Sequence, residues 1–254
     1  MNDRELAVVV GASGAFGQVI VDRLVAAGLD VLAVARDAAK LAGLVDQHRG
    51  RVEACATDIS ADAAIQDLGR ALSRRGQLVR AVVHGPGVVV AGGILDASTE
   101  AIITSVDIKV GGLLRVVRAA DPHLASGARL VAIAGHYGLE PSPYAAAAGV
   151  ANAALISAVR QLSLAYGPRG ITAHTIAPGP ADTPRLRRVA EDRAALAGTT
   201  AEAVLDEMRA ESSVGAMTTP AQVAWAVTVL LAPEATSMTG STLMLDAGRR
   251  RGLP

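Results

Sequence analysis

Residues Gly11 to Gly17 read Gly-Ala-Ser-Gly-Ala-Phe-Gly, and this run constrains the fold more than any other feature of the chain. It joins an apolar stretch of strand length, Leu6 to Val10, to a helical pattern, Ala15 to Ala27, in which Phe16, Ile20, Leu24 and Ala27 recur at helical spacing before a stop at Gly28. The three glycines have separable tasks. Gly11 permits a tight turn out of the strand, Gly14 lets the backbone approach a bulky anion, and Gly17 lets the helix close on the sheet. The helix start presents free N–H groups and partial positive charge, and Ser13 adds a hydroxyl donor. A glycine triplet alone is weak evidence. Between a strand and a helix it points to the pyrophosphate of a dinucleotide, with Phe16 inside the same turn.

Strand-like and helix-like segments alternate along the rest of the chain. Further short apolar runs are Val31 to Ala35, Val52 to Ala56, Arg80 to Val83, Leu130 to Ala134, Ile171 to Ala177 and Thr242 to Leu245, the last after a helix over Ala221 to Leu231. Continuous apolar strands separated by helices predict an α/β fold, a doubly wound parallel sheet covered on both faces. No linker or repeat interrupts it, so residues 1–254 read as a single domain. One segment departs from the pattern. Residues 184–217 are charged and helical and follow the end of a strand, the place where open α/β sheets bind ligands, so they read as a lid over a substrate.

Composition narrows the function classes. The formal net charge is zero, so no global field draws the chain to nucleic acid or to an anionic membrane. No segment reads as a membrane span, and the N-terminal MNDREL does not read as a signal peptide. The single cysteine, Cys55, excludes an internal disulfide framework and suits a reducing cytoplasm. The five histidines lack zinc-ligand spacing, so no metal is expected. Of the 24 basic residues only Lys40 and Lys109 are lysines, which singles both out.

The G-x-x-x-G-x-G spacing resembles that of the short-chain dehydrogenase/reductase family, and the resemblance runs the length of the chain. Asp58 in Ala-Thr-Asp-Ile59 matches the family's adenine-contacting aspartate; His84-Gly85-Pro-Gly87 stands at its Asn-Asn-Ala-Gly turn. Ile176-Ala-Pro178-Gly179-Pro180 with Thr183 matches the stretch that holds the nicotinamide end, and Met238-Thr-Gly240 to Asp246-Ala-Gly248 matches the last strand. The resemblance implies a Rossmann domain, a nicotinamide cofactor, a small-molecule substrate, and a homotetramer or homodimer built through the helices after the fourth and fifth strands. Coenzyme choice is read after the second strand. There Ala35 replaces the family's acidic residue and Arg36 follows, which favours the 2′-phosphate of NADP over NAD, although Asp37 is next in sequence.

The family's catalytic set is missing. Alignment through Arg129 to Gly135 and Pro141-Ser-Pro143 puts Gly135 at the serine, Ala148 at the tyrosine and Asn152 at the lysine; Lys109 falls at the asparagine. Two readings follow. In one, the site is rebuilt: Lys109 and Asn152 have exchanged places, and Tyr144, one helical turn before Ala148, or Tyr137 or His136 donates the proton, in an NADP(H)-linked oxidoreductase acting on a carbonyl or alcohol. In the other, the chain is a non-redox lyase-like enzyme or a silent nucleotide-binding subunit on the same fold.

Overall fold

Seven strands form one parallel sheet in the computed structural model, which describes residues 4–90 and 92–252. They are β1 (Leu6–Val10), β2 (Asp30–Ala35), β3 (Val52–Ala56), β4 (Val79–His84), β5 (Leu124–Ile133), β6 (Thr172–Pro178) and β7 (Thr242–Leu245), ordered β3-β2-β1-β4-β5-β6-β7. The order reverses between β1 and β4, which opens a crevice at the carboxyl ends of those strands. The reading of residues 1–3 as free of a leader lies outside the described residues.

Alternation along each strand builds two cores. From β1, Leu6, Val8 and Val10 face one side with Leu32 and Leu130, while Ala7 and Val9 face the other with Val31 and Val131. The first side is closed by α3 (Ala63–Arg75), α5 (Gly112–Ala120) and α6 (Ala146–Tyr166), through Leu68, Leu113 and Leu155. The second is closed by α1 (Ala15–Ala26), the short α2 (Ala42–Gln47) and α9 (Pro220–Leu230), through Ile20, Leu44 and Val227. With few aromatics, these branched aliphatic and alanine side chains supply nearly all the buried apolar volume.

The helical run between β4 and β5 is not continuous. Its first part, α4 (Thr99–Val106), passes into a π-helical turn, Asp107–Gly111, before α5 begins. Such a turn inserts an extra residue and re-aims its neighbours. Arg115 holds it from the outer side, bonding Asp107 at 2.9 Å and Asp62 at 2.7 Å.

After β6 the chain forms α7 (Pro184–Ala197) and α8 (Ala201–Ala210), which pack through Ala190, Ala194, Val204, Leu205 and Met208 into a small cluster of their own. The pair is joined to the sheet domain by a bridge between Ala181 and Thr218.

Two expectations change. Tyr144 lies before α6, which starts at Ala146, so it is not one turn ahead of Ala148 on a common helix face. The helical stretch Ala146–Arg169 does reach the length and mean hydropathy, 1.2, of a membrane span. Its inner side, with Leu155, Val159 and Leu162, nevertheless packs into the sheet core.

Candidate functional site

The glycine turn has the shape its spacing predicts. Gly11 adopts φ +80°, which disfavours an L side chain, and a Cβ there would stand 3.0 Å from the Gly85 carbonyl oxygen. A Cβ at Gly17 would collide with the Gly11 carbonyl and the Ala12 backbone, so the first helix turn can close on the loop only with glycine. Gly14 is the N-cap of α1 and carries no side chain, leaving the helix start open toward the crevice. Ser13 and Phe16 are half-buried beside it. This cradle, which side chains would fill, fits a dinucleotide's phosphates on the helix N-terminus.

At the far end of the crevice Arg36 is exposed, and its charge helps hold the Asp58 carboxyl below the usual range, after the hydrogen bonds from Ser60. Asp58 Oδ1 accepts from the Ser60 N–H at 3.0 Å and from its hydroxyl at 2.8 Å. Asp37 turns to cap the following 3₁₀ turn, accepting from the Ala39 N–H at 2.9 Å, so its carboxylate has a task besides facing a ligand. The Ile59 side chain is core, and only its backbone can border the crevice. Gly179 packs so closely on Asp246 that a Cβ would come within 2.9 Å of the Asp246 Cα. Thr183 caps α7, accepting from the Leu186 N–H at 3.3 Å, and Pro178 is buried at the end of β6.

The residues expected from sequence to carry catalysis fall into two groups. Lys109 sits in the π-helical turn, buried, and its Nζ donates to the Ile133 carbonyl at 2.7 Å. Burial, then repulsion from Arg185, pushes its pKa down to about 7. Asn152 is buried on α6 and fills the space that Gly135 leaves open: a Cβ on Gly135 would be 2.9 Å from Asn152 Nδ2. Asn152 Oδ1 has no partner. Lys109 and Asn152 thus reach positions two residues apart, Ile133 at the end of β5 and Gly135 just beyond it. Ala148 is buried against Val88 and Ala145.

His136, Tyr137 and Tyr144 form the second group and line a cleft of about 250 Å³ with Glu140 and Arg249. His136 is buried, its ring centroid 4.0 Å from that of Tyr137 at a 41° tilt, and bonds the Pro178 carbonyl through one ring nitrogen while Nε2 has no partner. Burial is the main cause that lowers its pKa, to about 4. Tyr144 is exposed, with the Arg193 guanidinium 4.3 Å from its ring centroid, at the mouth rather than the floor.

Two further residues belong to the site, one named in the sequence only as part of a turn and one not named at all. His84, at the end of β4, turns its Nε2 to the Ile108 carbonyl at 3.3 Å inside the π-helical turn; burial and Lys109 depress its pKa to about 3. Arg185, on α7, places its guanidinium over Gly87, where a Cβ would collide with it. His84 was visible in the sequence as the first residue of the His84-Gly85-Pro-Gly87 turn, but no spacing links Arg185 to Gly87.

The chain matches the family described as Enoyl-(Acyl carrier protein) reductase over residues 11–250. It is 30% identical to the short-chain dehydrogenase/reductase eriH of Hericium erinaceus, over 98% of this chain and 99% of that one. It is 27% identical to the short-chain reductase protein NovJ of Streptomyces niveus, over 98% and 95%. Among solved structures, L-sorbose reductase of Gluconobacter frateurii, complexed with NADPH and L-sorbose, superposes with a TM-score of 0.90 at 21% identity, covering 99% of this chain and 98% of that one. An NADPH-bound short-chain oxidoreductase of Pseudomonas aeruginosa, described as containing an atypical catalytic center, gives 0.86 at 24% identity, covering 98% of each. With a parallel Rossmann sheet, a glycine cradle at its switch point and a family match over nearly its whole length, the chain belongs to the short-chain dehydrogenase/reductase family and is an oxidoreductase of that type.

Proposed function

We propose that the chain is an NADP(H)-linked oxidoreductase that interconverts a carbonyl and an alcohol on a small molecule, with Lys109 as its acid–base group. The observation that carries this reading is the buried Lys109 ammonium at the end of β5, with its pKa brought to about 7. An acid–base group works best with its pKa near the working pH, because both protonation states are then populated. The lysine was first expected to support a tyrosine; its burial favours a direct role. His136, near 4, is neutral at pH 7 and a poor donor there.

Gly11, Gly14 and Gly17 would hold the cofactor's pyrophosphate, Arg36 its 2′-phosphate, and Pro178, Gly179 and Thr183 its nicotinamide end. When bound, the cofactor supplies or accepts hydride. Lys109 gives a proton to the substrate oxygen as charge develops there and regains it from solvent. The Ile133 carbonyl orients its Nζ. Asn152 offers its unpartnered Oδ1 to a hydroxyl in the crevice. The α7–α8 pair, held by its own small core, acts as the lid and excludes water. The exposed faces of α4 and α6, carrying Ile103, Val150 and Leu164, would meet a second copy of the chain.

The test is a fluorescence titration with NADPH and NADH followed by turnover on a panel of ketones and aldehydes. Tighter NADPH binding with carbonyl-dependent oxidation is expected. Binding of neither coenzyme would favour the non-redox alternative.

A further inference from the structure

We propose that Arg185 and Lys109 form an oxyanion subsite across Gly87, taking a carboxylate of the substrate or a phosphate of the cofactor. The proposal rests on the reading of the crevice given above and adds to it the charge of what binds there.

The geometry comes from three elements. Gly87 follows β4, and the absence of a side chain there is what admits the Arg185 guanidinium from α7. Lys109 comes from the π-helical turn and is anchored at Ile133, the last residue of β5, the neighbour of β4. Among the described residues the charged group that acts on Lys109 is Arg185; His84, neutral beside it, adds no charge.

The arginine is unusual on its own helix. Arg187 pairs with Asp182 at 3.2 Å and Arg193 with Glu207 at 3.3 Å, whereas Arg185 makes no hydrogen bond or ion pair among the described residues. Burial and the nearby Arg188 both work against its charge. Two cations therefore border the same ends of β4 and β5 with no counter-ion among the described residues, an arrangement that an oxyanion would relieve. As a residue Arg185 remains open to solvent, so such a ligand can reach it. Its arrival would neutralise the repulsion on Lys109 and favour the ammonium, loading the proton donor as the ligand binds.

The chain has only two lysines, so ¹³C-lysine labelling gives one signal for Lys109 and one for Lys40. Its titration is followed by NMR in the unsubstituted protein, in Arg185→Leu, and in Arg185→Lys, which keeps the charge. Inorganic phosphate should raise the Lys109 midpoint by about half a unit or more, except in Arg185→Leu. If NADPH alone produces the Arg185-dependent rise and acetoacetate adds nothing to NADP⁺-loaded protein, the cofactor supplies the oxyanion. If NADP⁺-loaded protein responds to acetoacetate but not to methyl acetoacetate, the substrate supplies it. If phosphate, NADPH and acetoacetate all leave Lys109 the same in the unsubstituted protein and Arg185→Leu, the subsite does not exist. An Arg185-dependent response in a protein whose turnover survives Lys109→Met would keep the subsite and remove the acid–base role.

Discussion

The Asn152 carboxamide occupies the volume that a side chain at Gly135 would need, with Nδ2 2.9 Å from where the Cβ would stand. Gly135 and Asn152 are therefore coupled in space. Gly135→Ala should destabilise the protein by about 1–3 kcal/mol, the usual cost of overpacking. Asn152→Ala alone removes a buried amide, and the pair together should recover part of the first loss. Urea unfolding of both single variants and the double variant measures the coupling; additive losses would show that the two positions do not compete for space.

Coenzyme preference should depend on Arg36, the exposed cation beside Asp58 at the end of β2. Arg36→Ala should weaken NADPH binding by about tenfold, or roughly 1.4 kcal/mol, and leave NADH nearly unchanged. Equal losses for both coenzymes in fluorescence titrations would remove Arg36 from 2′-phosphate recognition.

Acid should unfold the protein through its buried histidines. His84 is depressed to about 3, and His136 and His174 to about 4, mainly by burial. Above their ordinary pKa of 6.5 they cost nothing. Below it the unfolded chain takes up protons that the folded chain refuses, so stability is lost progressively down to the folded values. Lys109 has the same sign in a higher window: its penalty is full at and below about 7 and is relieved as pH rises toward 10.5. Melting temperature should fall between pH 6.5 and 4, and His174→Gln, away from the site, should flatten that fall. A pH-independent melt over this range would contradict the assignment.

Self-association should depend on the open face of α4 and α6, where Ile103 and Leu164 are 63% and 67% exposed. Light scattering should show an oligomer that Leu164→Asp weakens, since a charge at an apolar interface is desolvated without a partner. A monomer at micromolar concentration would contradict it.

The fold was legible because its signals are local and repeated. Glycine spacing, apolar strand runs and helical spacing each act within a few residues. Lys109 was legible for a different reason, its rarity, which made an unexplained lysine stand out. Tyr144 was misread because the alanines after it look helical from the tyrosine onward; in the fold, α6 starts only after Ala145, which bridges to Gly92. The π-helical turn and the approach of Arg185 to Gly87 left no such trace. Both depend on contacts between residues far apart in sequence, the first on His84 and Ile108, the second on a helix nearly a hundred positions away.

The central claim is that Lys109 moves the proton. The direct measurement is the pH dependence of kcat/KM on an active carbonyl substrate, for the unsubstituted protein and for Lys109→Met. Removing a buried cation should leave the variant folded and, near pH 7, no less stable, because the methionine carries no charge to desolvate. The unsubstituted protein should show an inflection near pH 7 that the variant lacks. The variant's turnover should be lower by at least about tenfold, equal to roughly 1.4 kcal/mol of barrier. Undiminished turnover with the same inflection would place the proton on another group and leave Lys109 a structural residue.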